Sequence, residues 1–182
     1  MTPLEALKRI SKFTEEHIAP KVLMRKEVRH SGDIMDNREI AAEYVHPTVC
    51  YGTIPHKNFQ PMDFQCPMIL WTFDTVADNG TYESGRTVEI RANISAYTSG
   101  MYDGDSKLPD NKAFIDLANL LEVMYEEITK HHTMLGVGRE KPVSYGIYDG
   151  AYYPYAYGYF TFTAEITRMH YDDNDIDLDE IC

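Results

Sequence analysis

Apolar residues recur at spacings of three to five from Leu4 through Leu7, Ile10, Phe13, His17 and Ile18, which predicts an amphipathic helix that stops before Pro20. Thr2-Pro3-Leu4-Glu5 opens it as a capping box, with a hydroxyl at the cap, proline at the first helical position and glutamate three residues after the cap. Residues 21–65 have weak periodicity and are interrupted by Pro47, Pro55 and Pro61, so they read as an irregular arm. Within it, 37–44 suits a short helical piece and 48–51 a short strand. The run 67–73 is apolar, rich in strand formers and preceded by proline, and predicts a central strand covered on both faces. Turn chemistry at Asp78-Asn79-Gly80 and Ser84-Gly85 separates it from 87–97, where Val88, Ile90, Ala92, Ile94 and Ala96 alternate with polar residues. The two strands are expected to form an antiparallel hairpin with a long tip.

Phe114, Leu117, Ala118, Leu121, Met124, Tyr125 and Ile128 then mark a long helix over 112–131, capped by Asp110 or Asn111. Residues 143–148 and 151 onward flank Asp149-Gly150, a dipeptide suited to a two-residue turn, and predict a second hairpin. Its last strand alternates Phe160, Phe162, Ala164 and Ile166 with Tyr159, Thr161, Thr163 and Glu165. The expected fold class is α+β: a largely antiparallel sheet of two hairpins packed on one long helix, with an N-terminal amphipathic helix. The expected organisation is a single domain over 1–170 with an irregular arm at about 21–65, followed by an acidic tail over 171–182.

A length of 182 residues with 43% hydrophobic content suits one core rather than two domains. The net charge of −12 repels phosphate backbones and anionic lipid, which argues against a nucleic-acid grip. Half of that charge comes from Asp172, Asp173, Asp175, Asp177, Asp179 and Glu180, read as a solvated tail. No basic segment followed by an apolar one opens the chain, and no apolar run approaches a membrane span, so synthesis in the cytoplasm and no membrane partner are expected. Cys50, Cys66 and Cys182 are scattered and read as free thiols.

Motifs whose spacing encodes a mechanism are few. Gly136-Val137-Gly138 lacks the third glycine and the preceding strand of a dinucleotide loop, and reads as a helix stop and turn. No GxxxxGK[ST], GxSxG or HExxH occurs. His131 and His132, with His170 and the acidic tail, supply imidazole and carboxylate, but helix-end histidines meet the negative end of the dipole and neighbours on a helix point about 100° apart. The acidic tail lacks the central glycine of a calcium loop. The expectation is therefore no catalytic residues, no metal site and no cofactor. The competing class is a small enzyme or ligand-binding domain with a nonstandard pocket, built from tyrosines with Arg86, Arg91, His46 or His56.

Tyrosine stands out, since seven of the fourteen lie between 145 and 159. In a strand Tyr153, Tyr155, Tyr157 and Tyr159 share the side opposite Phe160 and Phe162, and form the candidate interface. Either the N-terminal helix or the arm covers this aromatic stripe, or a protein partner does, because tyrosine is enriched at interfaces.

The order of a first helix, the strand Cys66-Pro67-Met68-Ile69-Leu70-Trp71, the strand Thr87-Val88-Glu89-Ile90-Arg91-Ala92-Asn93-Ile94, the helix Asp116-Leu117-Ala118-Asn119-Leu120-Leu121-Glu122 and an aromatic last strand resembles the tail terminator and tail-completion proteins of long-tailed bacteriophages and phage-tail-like particles. The resemblance is one of element order over about two thirds of the chain; the length of 21–65 and the acidic tail depart from it. It implies a structural virion protein at the neck, forming a homo-oligomeric ring, six-membered in that family, on the end of the tail tube. The implied partners are the tail tube protein and a head connector or adaptor, with DNA passing through without specific binding. A head-closure or connector-adaptor role is the neighbouring alternative. An acidic channel suits such passage, because Lys and Arg contacts hold phosphates and slow them.

Overall fold

The computed structural model describes residues 1–27, 43–53, 66–78, 86–98, 111–131, 133–139, 143–150 and 154–166. Helix α1 spans Pro3–His17, and the Thr2 hydroxyl accepts from the Glu5 N–H at 3.1 Å, as the capping box requires. A single 3-10 turn, Ala19–Lys21, follows. Strands β1 (Met24–Arg25) and β2 (Tyr44–Val45) pair antiparallel into a small separate sheet. The main sheet contains β3 (Thr48–Tyr51), β4 (Met68–Asp78), β5 (Arg86–Tyr97), β6 (Thr133–Met134), β7 (Val137–Arg139), β8 (Ser144–Ile147) and β9 (Tyr155–Ile166). Helix α2, Lys112–Lys130, connects β5 to β6.

The strand order is β3-β4-β5-β9-β7-β6, with β8 also on β9. Strands β7 and β8 lie one after the other along the same edge of β9, opposite the edge taken by β5. All pairings are antiparallel except β3 with β4, which is parallel and makes the sheet mixed.

This corrects the expected architecture. The sheet is not two hairpins on one long helix: it has seven strands among the described residues, and although the short strand expected at 48–51 is β3, its joining the main sheet and the second, two-stranded sheet of β1 and β2 arise inside the stretch read as an irregular arm. The physical reason is that two- to four-residue strands carry too few alternations to show a period, and partners distant in sequence stabilise them. Tyr44, placed in a helical piece on propensity, is in β2, whereas 28–42 lies outside the described residues. The second hairpin also differs. Ile147 pairs with Gly158 and the Tyr148 N–H donates to the Tyr157 carbonyl at 2.9 Å, so Asp149-Gly150 sits within a long connection rather than forming a two-residue turn.

A two-residue hairpin turn does occur, at Leu135-Gly136 between β6 and β7, where φ is 51° and 87°. Of the glycine pair read as a helix stop and turn, Gly136 serves this strand turn and Gly138 lies in β7. Arg9 ties α1 to it, its Nη1 donating to the Leu135 carbonyl at 3.0 Å while Nη2 meets Glu5 at 2.6 Å. That contact holds Glu5 below its ordinary carboxylate range.

Both helices lie on one face of the sheet. Helix α1 packs against β3 and β4, and α2 against β5 and β9. The core-facing set Val88, Ile90, Ala92 and Ile94 on β5 meets Ala164, Phe162, Phe160 and Gly158 on β9, as the alternation predicts. From α2, Leu117, Leu121, Met124 and Ile128 are buried, each contributing about 1.5–3 kcal/mol through loss of apolar surface. Phe114, expected in that stripe, is 54% exposed, and Ala113 and Leu120 are buried in its helix instead. Trp71 on β4 is fully buried between α1 and the sheet: its indole N–H donates to Thr14 Oγ1 at 3.0 Å and its ring meets Phe162 edge-on.

Lys21 and Glu127 clamp the turn after α1 to the end of α2, with Nζ 2.7 Å from Oε1. The hydrogen bond from Lys21 is the main cause that holds the Glu127 carboxyl below its usual range, against the opposing effect of burial. A carboxylate lowered in the folded state contributes stability above its unfolded pKa, about 4.3, and loses that contribution as pH falls through the lowered folded value. Glu127→Gln is therefore expected to lower the melting temperature at neutral pH, with the gap to wild type closing in acid. Thermal melts on both sides of that unfolded value check this, and a gap that does not narrow contradicts it.

Candidate interaction surface

The face of the sheet turned away from the helices is built from the odd-numbered residues of β5 and β9. Register sets Tyr155 against Tyr97, Tyr157 against Ser95, Tyr159 against Asn93 and Thr161 against Arg91. Tyr155, Tyr157 and Tyr159 are half-buried, while Tyr153 lies outside the described residues. Several of the aromatic rings on this face meet. Tyr97 and Tyr155 are 5.5 Å apart, Tyr155 and Tyr157 stack at 6.2 Å, and Tyr159 meets Tyr148 of the β8 edge at 5.3 Å. Opposite Tyr159 stands Gly146, where a side chain would lie 3.0 Å from the Tyr159 hydroxyl. The close approach of that ring is the reason the position suits glycine.

One end of the stripe is closed by the segment running out of β1. The Tyr155 hydroxyl donates to Glu27 Oε1 at 3.0 Å, and Glu27 Oε2 accepts from the Cys66 N–H at 3.1 Å. The Glu27 N–H donates to the Cys66 carbonyl at 2.9 Å, and the Cys66 thiol donates to Ser95 Oγ at 3.1 Å. Burial, and then the hydrogen bond to Glu27, push the Tyr155 phenol well above its ordinary value. Burial raises Tyr97 as well, with the Glu27 charge adding to it. Tyr155 is thus committed inside the subunit. Tyr155→Phe is expected to cost about 1.5–3 kcal/mol by removing the hydrogen bond its hydroxyl donates to the charged Glu27 carboxylate, read by chemical unfolding. A cost near zero contradicts the clasp.

Towards the other end the same face turns polar. Arg91 Nε lies 3.0 Å from Asp74, and the Thr75 hydroxyl donates to Glu89 at 3.2 Å. The face therefore has an aromatic half and a charged half, and among the described residues no helix lies over either.

The cations named for a nonstandard pocket are not brought together. Arg91 is paired with Asp74, Arg86 begins β5, His46 Nδ1 is 2.9 Å from the Val22 carbonyl, and His56 lies outside the described residues. A hollow of about 290 Å³ beside the stripe is lined by Ile94, Tyr148, Tyr157 and Gly158, none of them charged. His131 caps α2 with Nε2 3.8 Å from Glu127 Oε2, and its ring packs edge-on against Phe13, while His132 and His170 lie outside the described residues. Among the described residues no group of three or more His, Cys, Asp or Glu side chains is placed to hold a metal ion, and no helix is long and apolar enough to cross a membrane.

Tyr97, Tyr148 and Glu27 belong to this surface without having been picked out from sequence. Tyr97 and Tyr148 share the parity of the stripe once register is known. Glu27 gave no signal, because it arrives from a segment 128 residues away in the chain. Compared with known proteins, the chain matches no family model and no characterised protein sequence.

Proposed function

We propose that the chain is a structural ring subunit of a phage tail or tail-like particle, closing the end of the tail tube and joining it to the head connector. The observation that carries this reading is the sheet face over which, among the described residues, no helix lies, with its half-buried tyrosine ladder running on from Tyr155 to Tyr157 and Tyr159. Partly exposed tyrosines offer a large apolar ring at low entropic cost and a polar tip, which suits contact with another protein more than a closed core. A small domain spans a tube end only by head-to-tail repetition about an axis, which closes with one repeated interface; six copies follow from the family resemblance. Net charge −12 favours a channel that DNA crosses without being held.

The test is removal of the gene from its native particle, with tail length and head attachment scored by electron microscopy. Abnormally long tails, or tails unjoined to heads, support a neck role, and only the first of these supports termination. Normal-length tails that stay unjoined point to head closure or adaptation. Normal length with normal attachment overturns the reading.

A further inference from the structure

Strand β4 is eleven residues long, yet β3 pairs only with its first four, Met68 to Trp71. Gly52, at φ +105°, donates its N–H to the Trp71 carbonyl at 2.9 Å and turns the chain off the edge there. Beyond that point, among the described residues, no strand lies on the outer side of Thr72 to Ala77, and residues 73–77 are all exposed. Because the Trp71 carbonyl points to the outer edge, alternation points the backbone N–H and C=O of Phe73 outward as well. The register slips between Phe73 and Thr75, and Val76, opposite Val88, returns to the helix-side parity of Phe73. Phe73 and Val76 are 44% and 42% exposed.

Solvated strand edges are normally protected by lysine, proline, shortness or an outward charge. Thr72-Phe73-Asp74-Thr75-Val76-Ala77 has neither lysine nor proline, and its one charge is engaged with Arg91. Such an edge is suited to accept a strand. The opposite margin of the sheet offers one: among the described residues β8 pairs with β9 on one side only. Strand β8 is antiparallel to β9, β9 to β5 and β5 to β4, so β8 and β4 run in opposite senses. Copies related by rotation about an axis roughly along the strands keep those senses, so β8 of one copy meets β4 of the next antiparallel.

We infer that the Thr72–Ala77 edge pairs with β8 of a second copy of this chain, so that the sheet runs on from subunit to subunit. This rests on the ring reading and supplies its lateral contact. The geometry supports closure. Through the register, β8 is level with residues 69–72 of β4, where β3 already occupies the edge. The neighbour's β8 must therefore dock four to five residues further along, a stagger of ~13–17 Å, while the path β4-β5-β9-β8 is four strands or ~19 Å wide. In a flat ring that stagger tilts the strands by ~35–40° from the axis, close to the tilt that closed barrels adopt.

The experiment is native mass spectrometry and sedimentation of the full chain from micromolar to millimolar concentration, wild type against the double variant Phe73→Lys/Val76→Lys. Both positions are exposed, so the melting temperature is expected to hold while lateral association falls ~10-fold or more. A closed wild-type oligomer that the lysines reduce to monomer supports the proposal. A closed oligomer that persists in the variant overturns it and leaves the ring reading standing. A discrete dimer that the lysines abolish also overturns it, because a twofold contact does not close a ring. A wild type that stays monomeric overturns self-pairing, and the ring reading is then judged by tail length alone. If the lysines lower the melting temperature, hydrogen exchange on the wild-type oligomer decides: slowed amides at Phe73 and Val76 support the contact, and exchange at the rate of a free edge overturns it.

Discussion

Trp71→Ala is expected to destabilise the protein by about 3–5 kcal/mol, the largest effect of any single replacement considered. The side chain is fully buried, joins α1 to the sheet and meets Phe162 edge-on, so its loss opens a cavity between two layers that no neighbouring backbone can fill. Its N–H adds a polar contribution. Thr14 Oγ1 accepts that N–H at 3.0 Å while donating to the Ile10 carbonyl at 2.9 Å. Thr14→Val keeps the shape but leaves the indole N–H buried without an acceptor, at a cost of about 1–3 kcal/mol. The chain has one tryptophan, so the Ala variant is followed by circular dichroism in urea and the Val variant by fluorescence as well. A Trp71→Ala cost below about 1 kcal/mol would show that α1 does not pack there.

Gly158→Ala is expected to cost about 1–3 kcal/mol, towards the upper end of the usual range for overpacking. A methyl group at that position lies 2.9 Å from the Gly146 carbonyl oxygen and 3.3 Å from both Leu117 methyls, wedged between the β8 backbone and α2. A carbonyl in a strand ladder does not rotate away. Gly146→Ala, by contrast, meets only the Tyr159 ring at 3.0–3.2 Å, and that ring can swing outward. The comparison separates two roles. Gly158→Ala should lower the unfolding midpoint, while Gly146→Ala should leave stability nearly unchanged and alter the tyrosine face. Equal costs at both sites would contradict the packing described.

The features legible in sequence are those whose period is long enough to count. The alternation of β5 and β9 and the apolar stripe of α2 each repeat several times, and burial follows them apart from Phe114 and Tyr125 of the stripe, while the capping box at Thr2 to Glu5 is a fixed local spacing that needs no period. The parity of Tyr155, Tyr157 and Tyr159 was readable for the same reason. The parallel pairing of β3 with β4 was not, because it depends on the path of the chain between Tyr51 and Met68 rather than on either strand's residues. Strands β6 and β7 are two and three residues long and are set by a turn that puts leucine, an unfavourable residue, at positive φ; only Gly136 hinted at it. Asp149-Gly150 was the stronger turn signal and lost, because pairing Tyr148 with Tyr157 carries the ladder of β8 one step further. The Glu27 clasp on Tyr155 and the seat of Trp71 under Thr14 join residues 128 and 57 positions apart, a distance over which local pattern says nothing.

We propose that copies of this chain form a ring at the tube end through the surfaces described. The most direct measurement is an electron-microscopic reconstruction of the neck of the native particle. The account predicts a closed ring of identical copies at the end of the tail tube, with Tyr157 and Tyr159 buried against a neighbouring protein. Density for the chain elsewhere in the particle, or a ring in which that tyrosine face stays open to solvent, would contradict it.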